Sequence, residues 1–133
     1  MAEDEPGRPM KVLVVDDSAT MRRIVVNTLQ RLGYTDIVET ADGAEGLSRF
    51  DESFTCVLTD WNMPNMGGLE FVRSLRARPD GRDVKIIMIT TRSVREDILL
   101  AAQAGVNNYV VKPFTPEVLR EKLDQVFAVK GAA

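Results

Sequence analysis

Short apolar runs that do not alternate with polar residues recur along the chain, and each one ends in polar or charged residues. The runs and the residues after them are 12–15 with Asp16 and Asp17, 56–59 with Asp60, 86–89 with Thr90 and Thr91, and 109–111 with Lys112. Uninterrupted runs of this length are typical of strands that are buried on both faces.

Helical patterns fill the spaces between these runs. The pattern predicts strands at about 11–16, 37–39, 56–59, 85–89 and 108–111, and helices at about 19–32, 42–50, 69–77, 94–104 and 116–127. Strands that are joined by helices must be parallel, with right-handed crossovers. The predicted fold is therefore α/β, a (βα)5 doubly wound parallel five-stranded sheet.

Two helix starts carry capping signals, and the first helix has a clear apolar face. Asp42 is placed to cap the second helix, and Ser93 with Glu96 predicts a capping box for the fourth. In the first helix the predicted buried face is Met21, Ile24, Val25, Thr28 and Leu32, which leaves Val26 exposed.

Composition narrows the class of protein. The 133 residues fit one domain, predicted at 11–129, between a flexible N-terminal tail at 1–10 and a frayed C-terminus at 130–133. The net charge of −3 argues against nucleic-acid binding, and no apolar run could span a membrane, so a cytoplasmic protein is expected. The chain has no histidine, which excludes triads and metal sites that depend on one. Its single cysteine, Cys56, is predicted to be a small buried apolar residue.

The carboxyl ends of the predicted strands carry the candidate chemistry. Because parallel strands end at one edge, where open α/β sheets bind ligands, Asp16, Asp17 and Asp60 should lie together there. Clustered carboxylates repel one another unless a cation is present, and hard oxygen ligands suit Mg²⁺. With Lys112 and the Thr90 hydroxyl at the same edge, the set predicts formation of an aspartyl-phosphate.

Three segments resemble the receiver domains of bacterial response regulators, and the likeness extends over about 11–127. They are Val14-Val15-Asp16-Asp17, the run 59–66 around Asp60, and Tyr109-Val110-Val111-Lys112-Pro113-Phe114. The runs Trp61-Asn62-Met63-Pro64-Asn65-Met66 and Thr20-Met21-Arg22-Arg23-Ile24-Val25 are similar to single-domain chemotaxis regulators of the CheY type. The resemblance implies a flavodoxin-like fold with strand order 2-1-3-4-5.

The resemblance also implies residue roles. Asp60 would accept a phosphoryl group from the phosphohistidine of a histidine kinase or a histidine phosphotransfer domain. The remaining implied roles are Mg²⁺ binding by Asp17, Asp60 and the Asn62 backbone carbonyl, with Asp16 acting through water; phosphoryl contacts from Lys112 and Thr90; a switch at Thr90 and Tyr109; and rate tuning by Asn62, Thr91 and Arg92. The Lys112–Pro113 bond is expected to be cis, as in the family.

Two positions depart from the family pattern. Gly67 stands where the family usually has an acid, which removes a favourable charge from the start of the third helix. Arg92 replaces the acid that familiar chemotaxis regulators carry two residues after the threonine. We therefore expect the phosphate lifetime, and any phosphatase partner that recognises that acid, to differ from theirs.

Two surfaces are predicted to bind partners. The start of the first helix, with Arg22, Arg23 and an exposed Val26, would meet the phosphodonor domain, and its charges predict faster transfer at low salt. The second surface, which in chemotaxis regulators meets the flagellar motor switch protein, comprises Arg95, Ile98, Ala102, Tyr109 and Lys122. For the arginines a merely solvated helix face, and for Ile98 a place in the core, remain alternatives. A monomer is expected.

Two rival functions need motifs that the sequence lacks, and a third remains an alternative. A phosphatase of the haloacid-dehalogenase type needs a second acid two residues after the first acid. In this chain Asp16 and Asp17 are followed by Ser18, so the required position is not acidic. A nucleotide or flavin site needs a glycine-rich loop after the first strand, and residues 16–23 contain no glycine. The remaining alternative is a receiver that relays phosphate, or regulates a kinase or stress pathway, without binding a motor.

Overall fold

The elements alternate between strand and helix in the computed structural model, which describes residues 10–127. They are β1 (Lys11–Val15), α1 (Ala19–Arg31), β2 (Asp36–Thr40), α2 (Gly43–Arg49), β3 (Cys56–Thr59), α3 (Gly68–Arg76), a 3₁₀ turn (Pro79–Gly81), β4 (Lys85–Thr90), α4 (Arg95–Ala104), β5 (Asn108–Val111) and α5 (Pro116–Phe127). Most of the predicted tail and the whole predicted frayed end lie outside the described residues. Met10, however, packs against the core.

The five strands form one parallel sheet in the order β2-β1-β3-β4-β5. This confirms the predicted fold class and the strand order that the resemblance implied. At the carboxyl edge Val15 is paired with both Thr40 and Thr59, and Thr90 is paired with Val111. The residues that follow these positions therefore emerge side by side. Within 10–127, no helix has the length and apolar character needed to cross a bilayer.

Each strand supplies both faces of the sheet. Val12 and Val14 of β1 pack into one apolar cluster with residues of α1 and α5, while Leu13 and Val15 pack into a second cluster with residues of α3. All four are essentially inaccessible to solvent. An unbroken apolar run is what such a strand requires, because successive side chains point to opposite faces. Cys56 is also buried, and burial raises the pKa of its thiol to about 12.

Helix α1 corrects one part of the sequence analysis. Its buried residues are Val25, Val26, Thr28 and Leu29. Val26, predicted to be exposed on a docking surface, is only 6% exposed, whereas Ile24, predicted to be buried, is 44% exposed. The buried face of α1 is therefore rotated slightly about the helix axis from the predicted face, so that Val26 and Leu29 pack against the sheet. The apolar run from Ile24 to Val26 offers two faces of similar hydrophobicity, so periodicity alone did not distinguish them.

The caps were predicted with mixed success. The Asp42 side chain accepts a hydrogen bond from the Glu45 amide, as expected, and Gly105 ends α4 with a φ of 115°. The predicted Ser93–Glu96 capping box is wrong. The N-cap of α4 is Val94, with no side-chain hydrogen bond, so α4 begins one residue too late for that box. An ion pair between Arg92 and Asp97 lies at this end of the helix instead.

Arg76 of α3 joins two connections, the 3₁₀ turn before β4 and the segment between α4 and β5. Its Nε and Nη2 donate to the Gly105 carbonyl at 3.1 and 2.8 Å, and Nη1 donates to the Gly81 carbonyl at 2.8 Å. Nη2 also donates to the Asn107 side chain at 2.9 Å. The charge sits at the carboxyl end of α4, where a helix dipole favours a cation.

We expect Arg76→Met to lower the free energy of unfolding by about 2 kcal/mol, because several carbonyls lose a charged donor. Urea denaturation measures the change. Arg73→Met is the matched control: Arg73 is exposed on the same helix, and its side chain makes no hydrogen bond within 10–127. Equal effects of the two substitutions would contradict the role given to Arg76.

Candidate functional site

Three carboxylates meet at the carboxyl edge of the sheet, as the sequence predicted. One oxygen from each of Asp16, Asp17 and Asp60 lies within 4.8 Å of the others. Asp16 and Asp17 follow β1, and Asp60 follows the neighbouring β3. The Asp16 carboxylate is buried and the Asp17 side chain is exposed, while Asp60 lies between these extremes. The cluster is thus open to solvent on the Asp17 side.

Lys112 lies against two of these acids. Its Nζ is 3.1 Å from an oxygen of Asp16 and 3.1 Å from an oxygen of Asp60, and its side chain is only 9% exposed. The lysine follows β5, and its amide donates to the Thr90 carbonyl of β4. The Lys112–Pro113 peptide is cis, as the resemblance implied. One cation facing three acids leaves a net negative site.

The donor set fits a hard divalent cation. Three carboxylates with one exposed member provide oxygen ligands and leave room for water, which is the environment that Mg²⁺ favours. Asn62, whose backbone carbonyl was predicted as a ligand, lies two residues after Asp60 and is exposed. Its side-chain oxygen accepts a hydrogen bond from Arg92.

The loop after Asp60 is fixed from two sides. One Asp60 oxygen accepts from the Trp61 amide at 2.6 Å, and the Trp61 carbonyl accepts from the Gly68 amide at 2.7 Å. Farther along, Asn65 has a φ of 67° and donates to Asp42, the cap of α2, at 2.7 Å. The second oxygen of Asp60 is the one that meets Lys112. The carboxylate is therefore held in one orientation.

Gly68 has a role that was not predicted from the sequence. A Cβ at this position would lie 1.9 Å from the Asp60 carbonyl oxygen, so only glycine allows α3 to start here. A glycine beside a glycine reads simply as a loop, and periodicity carries no sign of this contact.

Thr90 and Tyr109, the predicted switch pair, are linked through the backbone of Arg92. The buried Thr90 hydroxyl accepts from the Arg92 amide at 3.3 Å, and the Tyr109 hydroxyl donates to the Arg92 carbonyl at 2.9 Å. Burial, reinforced by the negative charge of Asp97, raises the pKa of Tyr109. Thr91, predicted to tune rates, is exposed.

The Arg92 side chain packs against the loop that follows Asp60. Its guanidinium lies 4.7 Å from the centre of the Trp61 ring, and Nη2 donates to Asn62 at 3.1 Å. Nη1 pairs with Asp97 at 3.2 Å. The sequence marked Arg92 as a departure from the family that would tune rates, whereas the structure also makes it a bridge between α4 and the loop after Asp60.

The two predicted partner surfaces differ in outcome. At the start of α1, Arg23 is exposed, Val26 is buried, and Arg22 is largely covered, with 20% of its side chain accessible. At the second surface Arg95, Ile98 and Ala102 are exposed, and Tyr109 and Lys122 are half-buried. With 37% exposure, Ile98 is not a core residue. Leu99, which the sequence analysis left out, is 52% exposed beside it.

A family model described as "Response regulator receiver domain" matches residues 12–124. The chain belongs to the response regulator receiver domain family, a class of signalling proteins. Within that class it is a chemotaxis response regulator of the CheY type. It is 51% identical over 129 residues to a chemotaxis protein CheY homolog of Campylobacter jejuni, covering 93% of this chain and 99% of the relative.

Solved structures agree with the fold and bear on the metal. Chemotaxis response regulator CheY4 of Vibrio cholerae superimposes with a TM-score of 0.80 at 37% identity, covering 89% of this chain and 98% of that one. The receiver domain of sensor histidine kinase PA1611 from Pseudomonas aeruginosa gives a TM-score of 0.78 at 29% identity, with 88% and 96% coverage. That receiver has a magnesium ion coordinated in its active site cleft.

Proposed function

We propose that the chain is a cytoplasmic, Mg²⁺-dependent phosphoryl acceptor that promotes both its own phosphorylation on Asp60 and its own dephosphorylation. The observation that carries this proposal is the placement of the Asp60 carboxylate. It faces Lys112 at 3.1 Å, accepts from the Trp61 amide at 2.6 Å, and shares a 4.8 Å cluster with two further acids. A nucleophile held in one orientation needs little reorganisation before it attacks.

In the proposed reaction an Asp60 oxygen attacks the phosphorus of a phosphohistidine. The new O–P bond forms as the N–P bond breaks, and the imidazole leaves with the bonding electron pair and takes up a proton. A magnesium ion held by Asp17, Asp60 and the Asn62 carbonyl, with Asp16 acting through water, would supply charge neutralisation at the phosphoryl oxygens. Lys112 donates to a phosphoryl oxygen, and the Thr90 hydroxyl donates to another.

The switch would run through the Thr90–Arg92–Tyr109 link. When Thr90 turns its hydroxyl toward the phosphoryl group, the hydrogen bond from the Arg92 amide changes, and the Arg92 carbonyl that holds Tyr109 moves with it. The new charge thereby biases a two-state element on the α4–β5–α5 surface.

Partners follow from the exposed surfaces. A histidine kinase or phosphotransfer domain would dock at the start of α1, where Arg23 and the exposed Ile24 take over the role first given to Val26. The flagellar motor switch protein would bind the α4–β5–α5 surface in the phosphorylated state, and a phosphatase is a further partner. The chain would act as a monomer. Phosphate relay without a motor is the second candidate function, since the same chemistry serves both.

The test uses Trp61, the only tryptophan, which adjoins the acceptor. Its fluorescence should change saturably with Mg²⁺ and again when acetyl phosphate is added, and Asp60→Asn should abolish the second change. No response to either addition would refute the proposal. If both responses occur, selective capture of the motor switch protein by the phosphorylated form would separate motor control from relay.

We further expect Arg92→Glu to shorten the phosphate lifetime about fivefold, since it removes a cation–π and hydrogen-bonded cover worth about 1 kcal/mol. The affinity for Mg²⁺ should change little. A hydrolysis time course after acetyl phosphate is withdrawn measures the lifetime. Arg95→Glu, the same charge reversal on exposed α4, controls for electrostatics, and an unchanged lifetime in Arg92→Glu would count against this role.

A further inference from the structure

The Arg22 side chain lies along the turn between β1 and α1 and does not extend into solvent. Its Nη1 donates to the Asp16 carbonyl at 2.6 Å, and its Nε donates to a Glu39 oxygen of β2 at 3.3 Å. The guanidinium therefore joins the backbone of the acidic turn to the neighbouring edge strand. The adjacent Arg23 is exposed, and its side chain makes no hydrogen bond within residues 10–127.

Asp16 is fixed at every polar atom that it has. Its amide donates to the Thr40 carbonyl at 3.1 Å, and one carboxylate oxygen accepts from the Ser18 amide at 2.9 Å. The other carboxylate oxygen accepts from Lys112, and the carbonyl accepts from Arg22. Of these four contacts, the last fixes the plane of the peptide that leads into Asp17.

Asp17 depends on that peptide. Its side chain is exposed, and across the described chain its carboxylate accepts no hydrogen bond. Nothing in the side chain's own contacts holds it toward Asp16 and Asp60. Its direction follows from the backbone, which Arg22 holds at the Asp16 carbonyl.

Charge alone does not explain why an arginine occupies this place. Arg22 lies in the first turn of α1, which contains no acidic residue, and the amino end of a helix disfavours a cation. Its contacts with the Asp16 carbonyl and with Glu39 offset that cost. Because the shorter of these contacts is made to a backbone carbonyl and not to a carboxylate, it points to a geometric role.

We infer that Arg22 is a positioning residue for the metal site. By holding the Asp16 carbonyl it aims the exposed Asp17 carboxylate at the cation, and Glu39 keeps the guanidinium in place. The inference rests on the proposed function for the identity of the ion, Mg²⁺. It moves Arg22 from the docking surface to the metal site and leaves docking to Arg23.

Geometry and charge predict opposite results for Arg22→Met. Removal of a cation beside three acids should tighten Mg²⁺ binding, whereas release of the Asp16–Asp17 peptide should weaken it. We expect about tenfold weaker binding in a Trp61 fluorescence titration, the usual scale for loss of a group that orients a metal ligand. The maximal rate with acetyl phosphate at saturating Mg²⁺ should be preserved, so that only the Mg²⁺ concentration for half-maximal rate rises.

Three further variants separate the positioning effect of Arg22 from the effect of its charge. Arg23→Met removes the same charge one residue away and should leave Mg²⁺ binding unchanged or slightly tighter. Glu39→Gln retains an acceptor for Arg22 but weakens the pair, so it should give a smaller loss than Arg22→Met. Arg22→Lys should also give an intermediate loss, and these two milder variants decide the question if Arg22→Met does not fold.

A second readout needs no metal. Without Mg²⁺, the Ser18 amide, which donates to Asp16, should exchange its hydrogen faster in Arg22→Met than in Arg23→Met. Unchanged exchange, or Mg²⁺ binding as tight as in the parent chain, would overturn the inference while the proposed function stood. If the parent chain itself failed to bind Mg²⁺, the proposed function would fail, and so would the metal-positioning role.

Discussion

Gly68→Ala should destabilise the protein by about 3 kcal/mol, although alanine is the better helix former by about 1 kcal/mol. The added Cβ would lie 1.9 Å from the Asp60 carbonyl oxygen and 3.0 Å from the Trp61 Cα. Both atoms belong to the backbone, so no flexible side chain can move aside. The start of α3 must shift, or the strand end that presents Asp60 must shift.

The expected result therefore has two parts. Urea denaturation should show the lower stability, and the Trp61 titration should show weaker Mg²⁺ binding, because Asp60 is displaced with its carbonyl. Gly67→Ala is the matched control, since a Cβ there would approach the Trp61 carbonyl only to 3.1 Å. That variant should lose only about 1 kcal/mol, because glycine is preferred to alanine at the N-cap. Similar results for the two alanines would contradict the steric argument.

The parts of the fold that the sequence predicted are those that depend on local pattern. Strands β3 and β5 begin and end where they were expected, because apolar runs between polar residues fix both ends of a buried strand. The carboxylate cluster followed from topology, since parallel strands bring Asp16, Asp17 and Asp60 to one edge. Strand order came from the resemblance, because periodicity does not determine which strands are neighbours.

The sequence could not predict the direction in which a long side chain extends. Arg22 and Arg23 are adjacent and identical in type, yet one holds the Asp16 carbonyl and the other faces solvent. The helical phase that separates them is the same phase that buries Val26 and exposes Ile24. A small error in the predicted helical phase therefore placed both an arginine and a valine on the wrong surface.

Arg92 shows a second limit. As a departure from the family it predicted a changed rate, but its contact with the Trp61 ring joins two loops that are 31 residues apart in sequence. Such a contact depends on tertiary structure alone. The consequence is practical, because the same contact makes the fluorescence of Trp61 sensitive to the position of Arg92 as well as to the metal.

Lys112→Met should lower both the stability of the protein and its rate of phosphorylation. In the absence of Mg²⁺ we expect the free energy of unfolding to fall by about 3 kcal/mol, since two largely buried carboxylates lose their cation. The exposed fractions support that scale: 9% for the lysine side chain, 5% for Asp16 and 14% for Asp60. Phosphorylation by acetyl phosphate should be about 100-fold slower, because the proposed donor to the developing phosphoryl charge is lost.

Mg²⁺ should restore much of the lost stability, because a cation that binds the folded state stabilises it by mass action. The increase in melting temperature on adding Mg²⁺ should therefore be larger in Lys112→Met than in the parent chain, while phosphorylation stays slow at saturating Mg²⁺. Lys122→Met removes the same charge from half-buried α5, where the side chain pairs with none of the three acids among the described residues. It should change neither the rise in melting temperature nor the phosphorylation rate by much.

A Lys112→Met variant that is as stable as the parent without Mg²⁺ would mean that the acids are not held against each other by the lysine. A normal phosphorylation rate in that variant would remove Lys112 from the reaction.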